Sequence, residues 1–287
     1  MSTLAGLAFA LIVAASAPQP DPTRAVVMTV PGMDRVRVRR DVVYENVGGT
    51  ELLADVYLPP EDGKGTRAPV VVFQAGGAEN TKDWASYTTL SRLFAASGFA
   101  AVPFNHRLRY PKRQYAEGAE DLRSLLELLK RDGSALGLDG SRVGVATFSG
   151  GGPMLAPLLR NPNPDVRALA GFYSFLDTEH VNLSEAEITS ETGRAYSPLA
   201  AIEAPATGGI PPLFIARAGK DAIPGVNASI DRFVAKALER NLTLTVVNHP
   251  AGSHGFEHKE DDARTREILE MALAFFRAHL LGPAAPR

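Results

Sequence analysis

The sequence predicts a single α/β domain with a mostly parallel, doubly wound sheet, helices on both faces and an antiparallel hairpin near the N-terminus. Three observations carry this prediction. Short uninterrupted apolar runs recur along the chain, amphipathic helical patterns fall between them, and two β-forming segments, residues 36–43 and 52–58, flank a Gly48-Gly49 turn. The 287-residue chain shows no internal repeat and no linker that would split it, so residues 18–287 are expected to form one domain.

The elements after the hairpin are predicted from the period of their apolar residues. Runs without polar alternation are typical of strands buried on both faces of a parallel sheet. They occupy residues 69–73, 99–104, 143–148, 169–173, 213–216 and 244–247. Helical spacing covers residues 84–97, 117–131, 226–240 and 263–281, with Gly98 and Gly133 as expected helix stops.

Composition limits the classes of partner and cofactor. Hydrophobic residues make up 45% of the chain, and 30 basic against 32 acidic residues leave a formal charge of −2. This balance gives no electrostatic reason to expect nucleic acid or an anionic membrane as partner. The chain has no cysteine, which excludes disulfides, thiolate-bound zinc, iron–sulfur clusters and a cysteine nucleophile. Neither a metal nor an organic cofactor is implied.

Residues 1–17 are predicted to be a signal peptide. Residues 4–15 form an uncharged apolar run, shorter than the roughly 20 residues of a membrane-spanning helix. Residues 15–17 (ASA) supply a small-x-small cleavage pattern, and no cysteine follows that would carry a lipid anchor. We therefore expect export to the periplasm or the medium. Because residues 1–3 contain no Lys or Arg, a cytoplasmic protein with an N-terminal helix is the alternative.

A polar segment at residues 177–197 interrupts the alternation of strands and helices. It is weakly periodic and lies between two predicted strands. The segment is interpreted either as a cap over a site or as an ordinary surface excursion.

The most informative segment is residues 142–155, where a buried strand leads directly into Ser149 and a helix follows. So tight a strand-to-helix turn forces its central residue into a strained conformation and needs small neighbours two positions away. Gly151 meets this need, whereas Thr147 stands where the G-x-S-x-G pattern has glycine. A serine here would project above the sheet, next to the N–H groups of a helix N-terminus. The alternatives are a phosphate cradle or a plain glycine-rich turn.

A serine nucleophile needs a general base, and a carboxylate must orient that base. His254 follows the last predicted strand on a glycine-flanked loop (PAGSHGF), and Asp221 follows the preceding strand in the turn GKD. The order is therefore Ser149, Asp221, His254, each beyond the end of a separate strand, where the sites of open α/β sheets lie. Asp177 also follows a strand and is the competing acid.

Further residues are candidates for the surroundings of this site. The loop at residues 73–80 contains Gly76 and Gly77, which would let a backbone N–H approach a reacting carbonyl; a flexible turn is the alternative. Trp84 and Phe148 are candidates for contact with substrate, although Trp84 is equally well explained as a core residue of a helix.

Two of the other histidines also bear on the site. His106 follows an earlier strand and is a further candidate for contact with substrate. His258 stands four residues after His254, a spacing compatible with a metal, but no carboxylate-rich motif accompanies it and no metal site is predicted. The remaining three are expected to be structural or on the surface: His180, His249 and His279.

Four motifs in this order make the chain resemble the α/β-hydrolase superfamily, and within it the dienelactone-hydrolase-like and small serine esterase branches. They are the glycine loop, the serine turn, the GKD turn and the HGF sequence before a terminal helix, and they span about residues 35–281. The resemblance implies the α/β-hydrolase fold. It also implies Ser149 as nucleophile, His254 as base and Asp221 as the acid that orients it.

The resemblance further implies an oxyanion hole made by the Gly150 amide together with that of Gly77 or Gly76. Two positions depart from the family pattern: Ala75 stands where many esterases have the His of an H-G-G motif, and Thr147 replaces the glycine of the turn. Dienelactone hydrolases themselves use cysteine, so their substrate is not carried over to this chain.

We therefore expect a serine hydrolase that cleaves small carboxylic esters through an acyl-enzyme intermediate. A peptidase of the same fold is one alternative, and a non-catalytic binding protein on the same scaffold, for which Thr147 is the only support, is another. No sequence pattern predicts an oligomeric state.

Overall fold

An eight-stranded sheet forms the centre of the computed structural model. The structure describes residues 23–281 except positions 62, 64, 77, 110–113, 181–189 and 205–207. The predicted signal peptide at residues 1–17 lies outside the described residues. The strands are β1 (Arg37–Val47), β2 (Thr50–Leu58), β3 (Ala68–Gln74), β4 (Ala100–Pro103), β5 (Leu138–Phe148), β6 (Val166–Phe172), β7 (Leu213–Ala218) and β8 (Leu244–His249).

The strands lie in the sheet in the order β1-β2-β4-β3-β5-β6-β7-β8, and their pairing confirms the predicted fold class. β1 pairs with β2, and β2 with β4, in antiparallel fashion, whereas every other neighbouring pair in the sheet is parallel. The β1–β2 hairpin turns at Gly48 and Gly49, whose φ angles of 58° and 87° suit glycine. The carboxyl ends of the parallel strands consequently meet at one edge of the sheet.

All seven residues of β3 are buried, because helices cover both faces of this sheet. The helices Ala85–Ala96 and Ala263–Leu280 pack against each other through Phe94 and Phe276, whose ring centroids are 5.9 Å apart. The helices are α1 (Ala85–Ala96), α2 (Tyr115–Leu136), α3 (Leu155–Arg160), α4 (Ser190–Ala195), α5 (Pro198–Glu203), α6 (Val226–Glu239), α7 (Phe256–Lys259) and α8 (Ala263–Leu280). Within the described part of the chain, no helix has both the length and the apolar composition needed to cross a membrane.

One helix ends later than the sequence indicates. Gly133 was the expected stop, yet α2 continues to Leu136 and is capped by Gly137, whose φ is +86°. A Cβ at Gly133 would lie only 2.7 Å from the Leu138 side chain. The glycine therefore lets the helix approach the start of β5 rather than ending the helix.

The polar segment at residues 177–197 is described at its two ends. Thr178 Oγ1 donates a hydrogen bond to the Gly193 carbonyl at 2.5 Å, and Arg194 forms an ion pair with Glu179 at 3.1 Å. These contacts hold the two ends together next to α5. The interpretation of the segment as a cap stays a prediction, since residues 181–189 lie outside the described part.

Candidate active site

Ser149 stands at the sharp turn that joins β5 to the following helical segment. Its φ is +54°, in the left-handed region that is strained for a residue with a side chain. Gly151 and Gly152, which follow shortly after it, fit only as glycine: a Cβ at Gly151 would lie 2.6 Å from the Ala75 carbonyl oxygen, and one at Gly152 would lie 2.2 Å from the Phe175 carbonyl oxygen. Close backbone packing therefore holds the serine in its strained conformation.

Thr147 shows how the turn accommodates a residue other than glycine before the serine. It is buried and pairs in register with Gly171 of β6, which has no side chain to compete for the space. Thr147 Oγ1 donates to the Ala170 carbonyl at 3.2 Å and lies 3.1 Å from Ser174 Oγ. The β-branched side chain is thus packed and hydrogen-bonded, and the departure from the family motif leaves the turn intact.

The structure brings Ser149, His254 and Asp221 together. His254 Nε2 lies 2.7 Å from Ser149 Oγ, and His254 Nδ1 lies 2.7 Å from Asp221 Oδ2. The Asp221 side chain is fully buried, whereas the His254 side chain is 19% exposed. Since the carboxylate accepts the Nδ1 proton, Nε2 is left with its lone pair toward the serine hydroxyl. This tautomer is the one a general base needs.

The loops that carry Asp221 and His254 are joined by their backbones. Gly219 N–H donates to the His249 carbonyl at 2.9 Å, and Lys220 N–H donates to the Gly252 carbonyl at 2.8 Å. Asp221 itself is fixed through Oδ1, which accepts the backbone N–H of Ile223 at 2.9 Å. The loop after β7 and the loop after β8 therefore form one support for the imidazole–carboxylate pair.

The glycine loop after β3 lies against the serine. A Cβ at Gly76 would stand 3.4 Å from the Gly150 backbone nitrogen and 3.6 Å from Ser149 Oγ. Gly150 belongs to the first turn of a 3-10 helix (Ser149–Met154), where backbone N–H groups have no acceptor within the helix. Gly77, the other predicted donor, lies outside the described residues. The structure thus places Gly76 and Gly150 side by side next to the serine hydroxyl.

The predicted substrate contacts Trp84 and Phe148 belong to one row of packed aromatic rings. Phe148 is 2% exposed and stacks on Phe172 with centroids 5.0 Å apart. The Tyr87 ring lies between them: its centroid is 5.5 Å from that of Phe148 and 6.5 Å from that of the half-buried Trp84. Phe148 consequently packs into the core. Contact of Trp84 or Phe148 with substrate stays a prediction.

His106, the third predicted substrate contact, is only 1% exposed. Its ring packs edge-on against Phe104 with a centroid distance of 5.3 Å. Burial, together with the nearby charge of Arg109, lowers the pKa of His106 to about 3. The ring is therefore neutral at ordinary pH and offers little surface to a ligand in this conformation.

Asp177, the competing acid, pairs with Arg232 and His180. Its fully buried carboxylate accepts from Arg232 Nε at 2.6 Å and lies 3.1 Å from His180 Nδ1. Burial alone would raise the pKa of Asp177, but the hydrogen bonds from Arg232 and His180 hold it below its ordinary value. Asp177 thus anchors the start of the polar segment to α6, and Asp221 is the carboxylate at His254.

Two residues near His254, Tyr173 and Glu257, are not predicted as site residues from the sequence. The Tyr173 ring lies 4.6 Å from the His254 ring, measured between centroids, and the Tyr173 hydroxyl donates to Glu257 Oε1 at 2.5 Å. Tyr173 has the pattern of a strand end, and Glu257 that of a helix residue. No local signal indicates their contact, because they are far apart in the sequence.

His258 binds a neighbouring carboxylate. Its Nδ1 lies 3.1 Å from Glu257 Oε1. Over the described ranges, no group of three His, Asp or Glu side chains is arranged to hold a metal ion.

A family profile described as BD-FAE matches residues 54–187, a stretch that includes Ser149. The comparison with curated proteins finds no significant match. Among solved structures, esterase 2 of the planctomycete Thermogutta terrifontis with bound propionate is 21% identical, with a TM-score of 0.68 over 90% of this chain and 98% of that chain. The same enzyme phosphorylated by paraoxon gives the same identity, TM-score and coverage.

Esterase B from Lactobacillus rhamnosis, solved with a tributyrin phosphonate inhibitor, is similar too. It is 15% identical, with a TM-score of 0.67, over 85% of this chain and 86% of that chain. At such low identity these likenesses concern the fold. Together with the strand order and the serine turn, they show that the chain has the α/β-hydrolase fold.

Proposed function

We propose that this protein is a carboxylic-ester hydrolase with Ser149 as nucleophile, His254 as general base and acid, and Asp221 as the orienting acid. The observation that carries the proposal is the continuous chain of 2.7 Å contacts from Asp221 through His254 to a serine with a φ of +54°. The BD-FAE match and the likeness to two esterases support esters as the substrate class.

In the first half of the reaction, Ser149 Oγ attacks the ester carbonyl carbon while His254 Nε2 takes the hydroxyl proton. The carbonyl π electrons move to oxygen and create an oxyanion. A Cβ built at Gly76 would lie 3.4 Å from the Gly150 nitrogen, and this proximity supports the Gly150 N–H and the glycine loop as donors to the oxyanion. Asp221 stabilises the imidazolium that forms, because its buried carboxylate contacts Nδ1 directly.

In the second half, the bond between carbonyl carbon and alcohol oxygen breaks, and His254 Nε2 returns its proton to the departing alcohol. The acyl-enzyme is then attacked by water, from which His254 removes a proton, and Ser149 Oγ leaves with that proton restored. The cycle uses only groups of this chain and one water molecule.

We further propose small esters with short acyl groups as substrates. The support is what the similar structures were solved with: propionate in one and a tributyrin phosphonate in the other. The test is steady-state hydrolysis of p-nitrophenyl acetate, butyrate and decanoate, with the highest kcat/KM expected for the two short chains. Preference for decanoate would contradict this assignment.

The nucleophile is tested by Ser149→Ala on p-nitrophenyl acetate. Loss of a triad nucleophile reduces kcat by about 10⁶-fold in a serine protease, so activity at the background level is expected. Ser134→Ala, at an exposed position of α2, is the matched control and should keep the wild-type rate. Equal rates for Ser149→Ala and the wild type would overturn the proposal.

A further inference from the structure

The face of the His254 imidazole is covered by a tyrosine. The Tyr173 ring is tilted 58° to the imidazole at a centroid distance of 4.6 Å, and Tyr173 is only 3% exposed. Its φ of +36° is unusual for a bulky residue. Such a conformation persists only where the surroundings impose it, so the position of this ring is tightly determined.

Behind the tyrosine lies a buried carboxylate. Glu257, in α7, is 4% exposed, and its Oε1 accepts the Tyr173 hydroxyl at 2.5 Å and lies 3.1 Å from His258 Nδ1. Burial would raise the pKa of Glu257, but the contacts with His258 and Tyr173 hold it below its ordinary value. The group is therefore an ionised carboxylate held inside the protein.

A buried charge of this kind is not explained by stability. Desolvation makes a buried carboxylate expensive, and a neutral group of the same shape is often tolerated equally well or better. The charge is therefore better explained by what it does to its neighbours. The nearest group that gains and loses a proton during the proposed reaction is the His254 ring, with which Tyr173 is in contact.

Several titratable or charged groups surround His254 from different elements. Asp221 binds Nδ1, and Lys259 Nζ donates to the His254 carbonyl oxygen at 2.5 Å rather than to the ring. Glu260 Oε1 accepts hydrogen bonds from Ser253 N–H at 3.1 Å and from Ser253 Oγ at 2.6 Å. Among the described residues, the groups on the elements packed around the imidazole include Ser149, Tyr87, Tyr173, Asp221, Glu257, His258, Lys259 and Glu260. Asp221 and Glu257 are thus the two buried carboxylates of this set.

We propose that Tyr173 and Glu257 act as one positioning unit for His254, in which the tyrosine ring fixes the imidazole and the carboxylate stabilises its protonated form. This role rests on the proposed hydrolase function, in which His254 carries a proton between the two halves of each acyl transfer. Tyr173 links the two groups, because its ring touches His254 and its hydroxyl donates to Glu257 Oε1, which adds to the contact with His258 that holds the carboxylate.

The experiment compares Glu257→Gln and Tyr173→Phe with the wild type, using the kcat/KM pH profile and an NMR titration of the His254 ring. Glu257→Gln keeps the shape and removes the charge. It should move the acidic limb of the profile and the NMR midpoint of His254 to lower pH by about one unit, the order expected for losing a buried charge that one tyrosine ring separates from the imidazole. It should also reduce kcat by about 10-fold, without a lower melting temperature.

Tyr173→Phe should change both readouts in the same direction, since Glu257 then loses one of the two contacts, with His258 and Tyr173, that hold its pKa below the ordinary value. The double variant should be no worse than Glu257→Gln alone, because the two residues act as a unit. Tyr44→Phe is the matched control: it removes another buried phenol, which donates to the Asn105 carbonyl at 2.7 Å, and should leave profile and titration unchanged.

Two results would overturn this role. One is a folded Glu257→Gln variant whose His254 titration and pH profile match those of the wild type. The other is additive losses from the two single variants, which would mean two independent structural effects. Failure of the proposed function is distinguishable, since it would appear as absence of ester turnover in the wild type, whereas the NMR titration needs no turnover.

Discussion

The two buried carboxylates that follow neighbouring strands should differ sharply when each is changed to asparagine. Asp221 and Asp177 are both fully buried at the side chain. Asp221 contacts His254, whereas Asp177 contacts Arg232 and His180. Asp221→Asn and Asp177→Asn keep the volume of each side chain and remove one charge. The first should therefore affect catalysis, and the second stability.

The magnitude for Asp221 follows from its distance to the imidazole. With Oδ2 and Nδ1 2.7 Å apart, the charge centres of carboxylate and imidazolium are about 4 Å apart, which corresponds to about 4 kcal/mol at an effective dielectric constant of 20. That energy alone amounts to roughly 10³-fold in rate. An asparagine amide would also present N–H to Nδ1 and favour the wrong tautomer, as in serine proteases, where the loss is about 10⁴-fold. We expect kcat to fall by 10³- to 10⁴-fold.

The corresponding loss for Asp177 is one of stability. Arg232 is 39% exposed, so its guanidinium stays partly hydrated when the carboxylate charge is removed. The free energy of unfolding should fall by about 1–3 kcal/mol, with kcat within about 3-fold of the wild type.

The assay is hydrolysis of p-nitrophenyl acetate at matched concentrations of folded protein, together with urea denaturation of each variant. Asp221→Asn should lose kcat while its denaturation midpoint stays near that of the wild type. If Asp177→Asn lost more kcat than Asp221→Asn at equal folded fraction, the assignment of the acid would be refuted.

The other predictions concern strain, packing and acid stability, each measured by urea denaturation. Ser149→Gly should be more stable than Ser149→Ala by about 1 kcal/mol, since only glycine adopts a φ of +54° without strain; equal stability would contradict this. Gly152→Ala should lose about 3 kcal/mol or more, because its Cβ would lie 2.2 Å from the Phe175 carbonyl oxygen, whereas Gly209→Ala, with no atom within 4 Å, should be nearly neutral. Because burial lowers the pKa of His106 to about 3 and the unfolded value is near 6.5, the unfolded state binds the extra proton between these pH values, and wild-type stability falls as pH drops below about 6.5. His106→Phe should therefore lose less stability than the wild type from pH 7 to 5, by up to about 2 kcal/mol, and equal acid sensitivity would contradict the argument.

The strands and the three central site residues could be predicted from the sequence for related physical reasons. A strand covered on both faces has no polar alternation, and every residue of β3 is indeed buried. Ser149, Asp221 and His254 each follow a separate predicted strand. Because parallel strands end at the same edge of a sheet, residues that are far apart along the chain lie there within hydrogen-bonding distance.

Features that depend on contacts between distant side chains could not be predicted. The position of β4 between β2 and β3 is decided by long-range pairing, which leaves no local pattern. Phe148, at a strand end, has the same sequence signature whether it faces a cleft or the core. Only its neighbours, among them Phe73 and Phe172, decide that it is 2% exposed. The contact between Tyr173 and Glu257 is of the same kind.

Features of the glycines were only partly predictable. A glycine near the end of a helical pattern usually ends the helix. Gly133 instead allows the helix to approach Leu138 closely, and Gly137 is the residue that caps the helix. That the turn accommodates Thr147 could not be predicted either, because the space for its side chain comes from Gly171 on the neighbouring strand.

The central claim, that Ser149 is the nucleophile activated by His254, is tested most directly by paraoxon labelling followed by mass spectrometry of the digested protein. We predict one diethylphosphoryl adduct, on the peptide that contains Ser149, with loss of esterase activity in proportion to labelling. Labelling should be absent in Ser149→Ala and greatly slowed in His254→Ala. An active protein that is inhibited through a different residue, or that is not labelled at all, would contradict the claim.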